Sequence, residues 1–202
     1  MREWEEDANP WVVKGVTRTF ENAWFRIDSH EVVHPGGAEG VYSVIRMRRL
    51  AVGVLPIDGA GFVQMVGQWR FPLARYSWEI PEGGAEAGES AETCARRELE
   101  EEAGLIAGRL APILQMDLSN SSTDEQAVVF LATDLSETAK RPEATEVFKH
   151  RRAHFREVLE RVALGRIRDS LTVAAVLRAH HMAVTGEIPA RLAEAMLGEG
   201  GG

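Results

Sequence analysis

Between Gly83 and Leu105 the chain reads G-G-A-E-A-G-E-S-A-E-T-C-A-R-R-E-L-E-E-E-A-G-L. A glycine-rich turn runs into a short segment dense in carboxylates, and few folds have a use for that. Ser90 is a candidate N-cap, because its hydroxyl can accept a hydrogen bond from an orphan first-turn N–H. Gly104 is a candidate helix terminator, since a left-handed residue past the last turn is tolerated best without a Cβ. On a helix of roughly 100° per residue, Glu98, Glu101 and Glu102 fall within an arc of about 100°. Three carboxylates on one face repel one another. Composition leaves two readings open. The face is either solvated and paired with Arg96 and Arg97, as charge runs commonly are, or it gathers around a cation.

A cation held there would be a hard one. The face offers carboxylates without histidine or thiolate, which suits Mg²⁺, or Mn²⁺, better than zinc. Mg²⁺ retains waters and shares its sites with substrate phosphates. The chemistry this points to is metal-assisted attack of water on phosphorus.

Composition narrows the partners. A chain of 202 residues with net charge −8 disfavours a nucleic-acid surface and an anionic membrane. An acidic protein with an anionic substrate needs metal and local arginine to bind it. The single cysteine, Cys94, excludes an intramolecular disulfide and a cysteine-rich zinc site. The acidic start, M-R-E-W-E-E-D, is unlike a signal peptide. No apolar run approaches the roughly 18 residues needed to cross a bilayer. These features predict a cytoplasmic protein with neither a nucleic-acid nor a membrane partner.

Along the chain, Trp11–Phe20, Trp24–Val33 and Val41–Arg46 have strand-like composition and alternation. Leu50–Ile57 and Gly61–Trp69 predict a hairpin around the turn dipeptide Asp58-Gly59. Leu110–Leu118 and Gln126–Ala132 read as strands around the polar loop 119–125. Residues 134–147 read as a second polar loop, and Val147–His150 as a strand. Phe155–Leu164 and Leu171–Met182 have helical periodicity, with Asp169 or Ser170 as cap of the second. Ile188–Leu197 predicts a short terminal helix. His150, His154, His180 and His181 lack metal-ligand spacing with an acidic partner and read as structural or surface residues.

The spacing of the first stretch is more specific than its composition. Gly83, Glu89, Arg97-Glu98-Leu99, Glu101-Glu102 and Gly104-Leu105 resemble the Nudix box, G-x5-E-x7-R-E-U-x-E-E-x-G-U with U a bulky aliphatic, at every fixed position. The resemblance implies a hydrolase that cleaves a nucleoside diphosphate linked to another moiety. It implies that Glu98, Glu101 and Glu102 hold Mg²⁺ or Mn²⁺, and that Glu89 and Arg97 orient the loop and helix. The carbonyl of Glu82 would complete a metal site. Val66–Pro72 is similar to the V-x-Q-y-R-x-P stretch of the ADP-ribose-hydrolysing branch, and Trp78–Gly83 to its W-E-L-P-A-G entry. Gly165–Ser170 is similar to its G-x-I-x-D-s join. Within that resemblance Arg70 is a candidate phosphate contact, Trp24 a candidate base platform and Glu86 a candidate ribose contact. Glu146, with Glu143 as the alternative, would assist the attacking water.

The fold expected is therefore the α/β (α+β) Nudix sandwich, a mixed central sheet between helices, with an N-terminal antiparallel β portion and C-terminal helices. Residues 1–45 would form the β portion and a homodimer contact, 46–184 the catalytic domain, and 185–202 a helix and tail. The substrate expected is a nucleoside diphosphate sugar, ADP-ribose first, giving AMP and ribose 5-phosphate. One departure bears on it. Asn120 and Ser121 stand where ADP-ribose hydrolases carry a proline, so GDP-mannose or another sugar nucleotide is the alternative. A nucleotide-sugar sensor without turnover is the reading from a different class. A house-cleaning enzyme for damaged nucleoside triphosphates ranks below the sugar-nucleotide readings, because such enzymes lack the N-terminal β portion.

Overall fold

The computed structural model describes residues 8–139 and 148–198. The chain divides into two compact units, residues 1–48 with 117–125, and residues 49–116 with 126–202. In the first, β1 (Val12–Glu21), β2 (Phe25–Val33) and β3 (Glu39–Met47) form an antiparallel meander in the order β1-β2-β3. Asn22 makes its first turn: its side-chain oxygen accepts the N–H groups of Trp24 and Phe25, each at 2.8 Å. The loop 119–125 lies along β3. The Ile45 N–H donates to the Ser122 carbonyl at 2.9 Å, and Asp124 accepts the Met47 N–H at 2.8 Å.

The second unit carries the predicted mixed sheet. Its strands are β4 (Ala51–Pro56), β7 (Glu82–Gly84), β8 (Leu105–Asp117) and β9 (Gln126–Glu137), in the order β7-β4-β9-β8. β4 runs parallel to β9 and antiparallel to β7. The run A-V-G-V-L-P-I is apolar throughout because a central strand of this kind is covered on both faces. Val52 and Val54 point towards α1 (Ala91–Glu98) and share a core with Cys94, Ala95, Leu99 and Phe130. Gly53, one residue out of phase, faces the other way. A Cβ there would lie 3.0 Å from Ile80 and 3.1 Å from Leu171 of α3 (Ser170–Thr185). The period-2 alternation of one strand thus separates the two helical layers.

A second, antiparallel sheet has the order β10-β5-β6, from β5 (Phe62–Arg70), β6 (Arg75–Glu79) and β10 (Lys149–His154). This corrects the hairpin expected around Asp58-Gly59. The tight turn exists, with the Gly61 N–H on the Asp58 carbonyl at 2.9 Å. Beyond it the strands meet only at the Ile57–Val63 bridge and enter different sheets. Two further helices, α2 (Phe155–Ala163) and α4 (Ala190–Leu197), complete the unit. No helix among the described residues is long and apolar enough to cross a membrane.

One buried bond ties the α3 layer to the entry of the carboxylate stretch. Thr172, fully buried, accepts the Ile80 N–H at 3.0 Å, while Asp169 caps α3 by accepting the Thr172 N–H at 2.8 Å. Replacing Thr172 by Val keeps the shape and strands the Ile80 donor, which costs about 1–3 kcal/mol. Chemical denaturation of Thr172→Val should show that loss, and an unchanged midpoint would mean the bond contributes nothing.

Candidate active site

Sequence chemistry builds the site locally. Ser90 caps α1 as expected, in extended conformation and accepting the Thr93 N–H at 3.1 Å. Gly104 ends the helical stretch in the left-handed region, at φ 67°. Between these signals lies a feature that composition does not announce. Residues Leu99–Ala103 form a π turn continuous with α1. Such turns recur at functional sites, and this one carries Glu101 and Glu102.

Arg97 organises the carboxylates. It grips Glu89 with two hydrogen bonds of 3.0 Å, through Nε and Nη2. Its Nη1 reaches Glu98 at 2.7 Å and Glu101 at 3.0 Å. Glu89 in turn accepts the Glu86 N–H at 2.8 Å, which pins the loop before the helix. One guanidinium therefore serves three carboxylates. Hydrogen bonding from Arg97, then from the Glu86 N–H, holds the Glu89 carboxyl down at about 2, against an ordinary 4.5. On the far side of the unit, Arg178 holds Glu187 at about 2 in the same way. Depressed carboxyls stabilise the fold above their unfolded pKa and lose that contribution as pH falls through the folded value. Stability should thus decline between about pH 4.5 and pH 2. Thermal unfolding across that range checks this, and Arg97→Gln should flatten part of the decline.

Glu102 is placed differently. It is 3% exposed, and its carboxylate accepts the Glu82 N–H at 3.0 Å, joining the π turn to β7. Its own carbonyl accepts a hydrogen bond from His150 Nε2 at 2.6 Å. His150, expected as a structural or surface residue, is a strut between β10 and the π turn. Glu98 lies against Gly83, where an added Cβ would be 2.0 Å from the Glu98 Oε1. The glycine that opens the stretch leaves room for that carboxylate. Cys94 lies buried in the α1 core, and burial pushes its thiol up to about 12, which makes it a packing residue.

Beside this cluster stands a second one. Arg70 donates from Nε to both oxygens of Glu79 at 3.0 Å and from Nη2 to Glu79 at 2.7 Å; Nη2 also bonds Glu82. Carboxylate oxygens of Glu79, Glu82 and Asp169 lie within 4.8 Å of one another. Burial, then the charges of Asp169 and Glu79, push the Glu82 carboxyl well above its ordinary range, against the pull of Arg70. Glu86 lies exposed on the loop. Trp24 belongs to the N-terminal unit, at the exposed turn between β1 and β2. Glu143 and Glu146 lie outside the described residues.

Glu98, Glu101 and Glu102 offer oxygen donors alone, the chemistry of a hard divalent cation, and Arg97, already engaged by Glu89, bonds Glu98 and Glu101. Among the described residues the carboxylates drawn together within 4.8 Å are those of Glu79, Glu82 and Asp169 rather than these three. Residues 47–176 match the NUDIX domain. The chain belongs to the Nudix family and is a Nudix hydrolase. It is 34% identical over 166 residues to the ADP-ribose pyrophosphatase of Mycobacterium tuberculosis, covering 78% of this chain and 77% of that protein. It is 44% identical over 96 residues to the ADP-ribose pyrophosphatase of Bacillus subtilis, a match spanning about half of each. A crystal structure of an ADP compounds hydrolase superposes with TM-score 0.80 over 91% of this chain and 100% of that one, at 18% identity, a likeness of fold.

Proposed function

We propose that the protein hydrolyses the diphosphate of a nucleoside diphosphate sugar, with ADP-ribose as the preferred substrate. Water adds to one phosphorus and the bridging P–O bond breaks, giving AMP and ribose 5-phosphate. The observation that carries this reading is the apposition of the buried Glu98 and Glu102 to strand β7, in a chain with a complete box. The pyrophosphatase relatives narrow the substrate class.

Glu98, Glu101 and Glu102 would hold Mg²⁺ or Mn²⁺, with the Glu82 carbonyl as a further ligand. A bound divalent ion supplies charge neutralisation at the phosphoryl oxygens and a more acidic water. The chain's own residues do the positioning. Arg97 fixes Glu98 and Glu101, Gly83 leaves space for Glu98, and the Glu82 N–H orients Glu102. Arg70 offers the diphosphate a guanidinium edge. A glutamate of the segment 134–147, Glu146 or Glu143, assists water, and Trp24 and Glu86 contact base and ribose. The protein works in the cytoplasm as a homodimer through its N-terminal sheet, whose Val12, Val16, Phe20 and Val41 are exposed.

A substrate panel with Mg²⁺ tests the reading. AMP release from ADP-ribose should exceed GMP release from GDP-mannose. The reverse preference would move the substrate to a guanine sugar nucleotide and give the loop at Asn120 and Ser121 a role in that choice.

A further inference from the structure

Arg70 is over-neutralised. Its Nε and one Nη2 proton are held by Glu79, which is 2% exposed and so fixed in the core. Glu79 alone balances the guanidinium charge and anchors it. Glu82 then adds a second carboxylate on Nη2. That second contact is poorly built. Glu82 Oε2 is buried without a hydrogen-bond partner, the one such side-chain atom among the described residues. Asp169 stands beside it, and Asp169 is engaged in capping α3. A buried carboxylate with one oxygen unsatisfied beside two like charges is costly. Such local cost is typical of a functional place. Meanwhile Nη1 of Arg70 has no hydrogen-bond partner among the described residues, and about a third of the side chain is exposed.

We propose that Glu82 is a specificity-determining positioning residue: its side chain, bonded to Arg70 Nη2, competes with the substrate diphosphate for Arg70. Its carboxylate stands in for a phosphate oxygen at the guanidinium edge, so the free enzyme holds a bare diphosphate weakly. Glu79 keeps Arg70 in place whether or not Glu82 is bound to it. Glu82 therefore acts on how tightly the anion is held, through Arg70, and touches neither the reacting phosphorus nor the water. The inference rests on Arg70 being a diphosphate contact, as in the function proposed above.

The test is binding of inorganic pyrophosphate, by calorimetry in the presence of EDTA, so that the box carboxylates contribute no metal-mediated affinity. Glu82→Gln removes the charge and keeps the shape; Glu82→Ala removes both. Each should bind pyrophosphate about tenfold tighter than wild type, a difference of about 1.4 kcal/mol. In an Arg70→Ala background the gain should vanish, since the competition has lost its object. With Mg²⁺, the KM for ADP-ribose should fall more than kcat changes. Thermal unfolding shows that the variants are folded, and neither should melt below wild type, because the removed carboxylate held one oxygen buried without a partner while Glu79 still anchors Arg70. Unchanged or weaker pyrophosphate binding in both variants would overturn the proposal, as would an equal gain without Arg70. The probe carries no nucleoside, so these results stand apart from the substrate reading, which fails independently if the wild-type protein releases no AMP from ADP-ribose.

Discussion

Replacing Glu102 by Gln is expected to lower turnover by roughly two to three orders of magnitude, the scale on which removal of one preorganised charge-stabilising group acts. The carboxylate is buried, and its bond from the Glu82 N–H links the π turn to the strand beside it. Glutamine can still accept that bond through its amide oxygen, so the fold should survive. What it cannot do is supply charge to a divalent ion. The expected signature is a large fall in kcat with an unchanged circular dichroism spectrum and a rise in the Mg²⁺ concentration needed for half-maximal rate. A variant that unfolds would instead make Glu102 a structural residue. A non-catalytic sensor predicts that nucleotide-sugar binding persists with no turnover to lose.

The second large effect falls on a residue with no functional group. Gly83→Ala should reduce kcat by about 10²-fold, the cost typical of a catalytic group misplaced by about 1 Å. The added methyl would lie 2.0 Å from Glu98 Oε1 and 2.2 Å from its Cδ, so the carboxylate must swing away. The obstacle is the flexible end of a side chain, so the stability change should be small. Glu98 would lose both its place and its contact with Arg97 Nη1. Steady-state kinetics with a parallel melting curve separates the two. Full activity in Gly83→Ala would show that Glu98 can work from another position.

These two predictions mark where sequence reading was strong. The caps at Ser90 and Gly104 are local signals, set by a hydroxyl three residues from its donor and by a φ that favours glycine, and both are where expected. The covered strand β4 and the helices α2, α3 and α4 follow from periodicity in the same way. The misses concern strand partners, hydrogen-bond register and long-range contacts. The strands around Asp58-Gly59 share a turn, yet β4 pairs with β7 and β9 and β5 with β6 and β10, all further along the chain, and a turn dipeptide carries no information about that choice. The π turn changes hydrogen-bond register without changing composition. It shifts Glu101 and Glu102 from the arc a regular helix would give them, so that Glu98 and Glu101 converge on Arg97 while Glu102 turns to the Glu82 N–H. β8 begins at Leu105, directly after Gly104, because a left-handed residue reverses the chain at once and Ala107 is already buried. His150 and Glu82 were the hardest to read. One lies 48 residues from the carbonyl it meets, and the other shares its guanidinium with a neighbour that the chain brings round by way of β6.

The most direct measurement is phosphorus NMR of the purified protein with ADP-ribose and Mg²⁺. Hydrolysis at the diphosphate predicts loss of both diphosphate resonances and growth of AMP and ribose 5-phosphate in equal amounts, with no change when EDTA replaces the metal. Persistence of the diphosphate resonances under conditions where ADP-ribose is bound would contradict the assignment of this site to diphosphate cleavage.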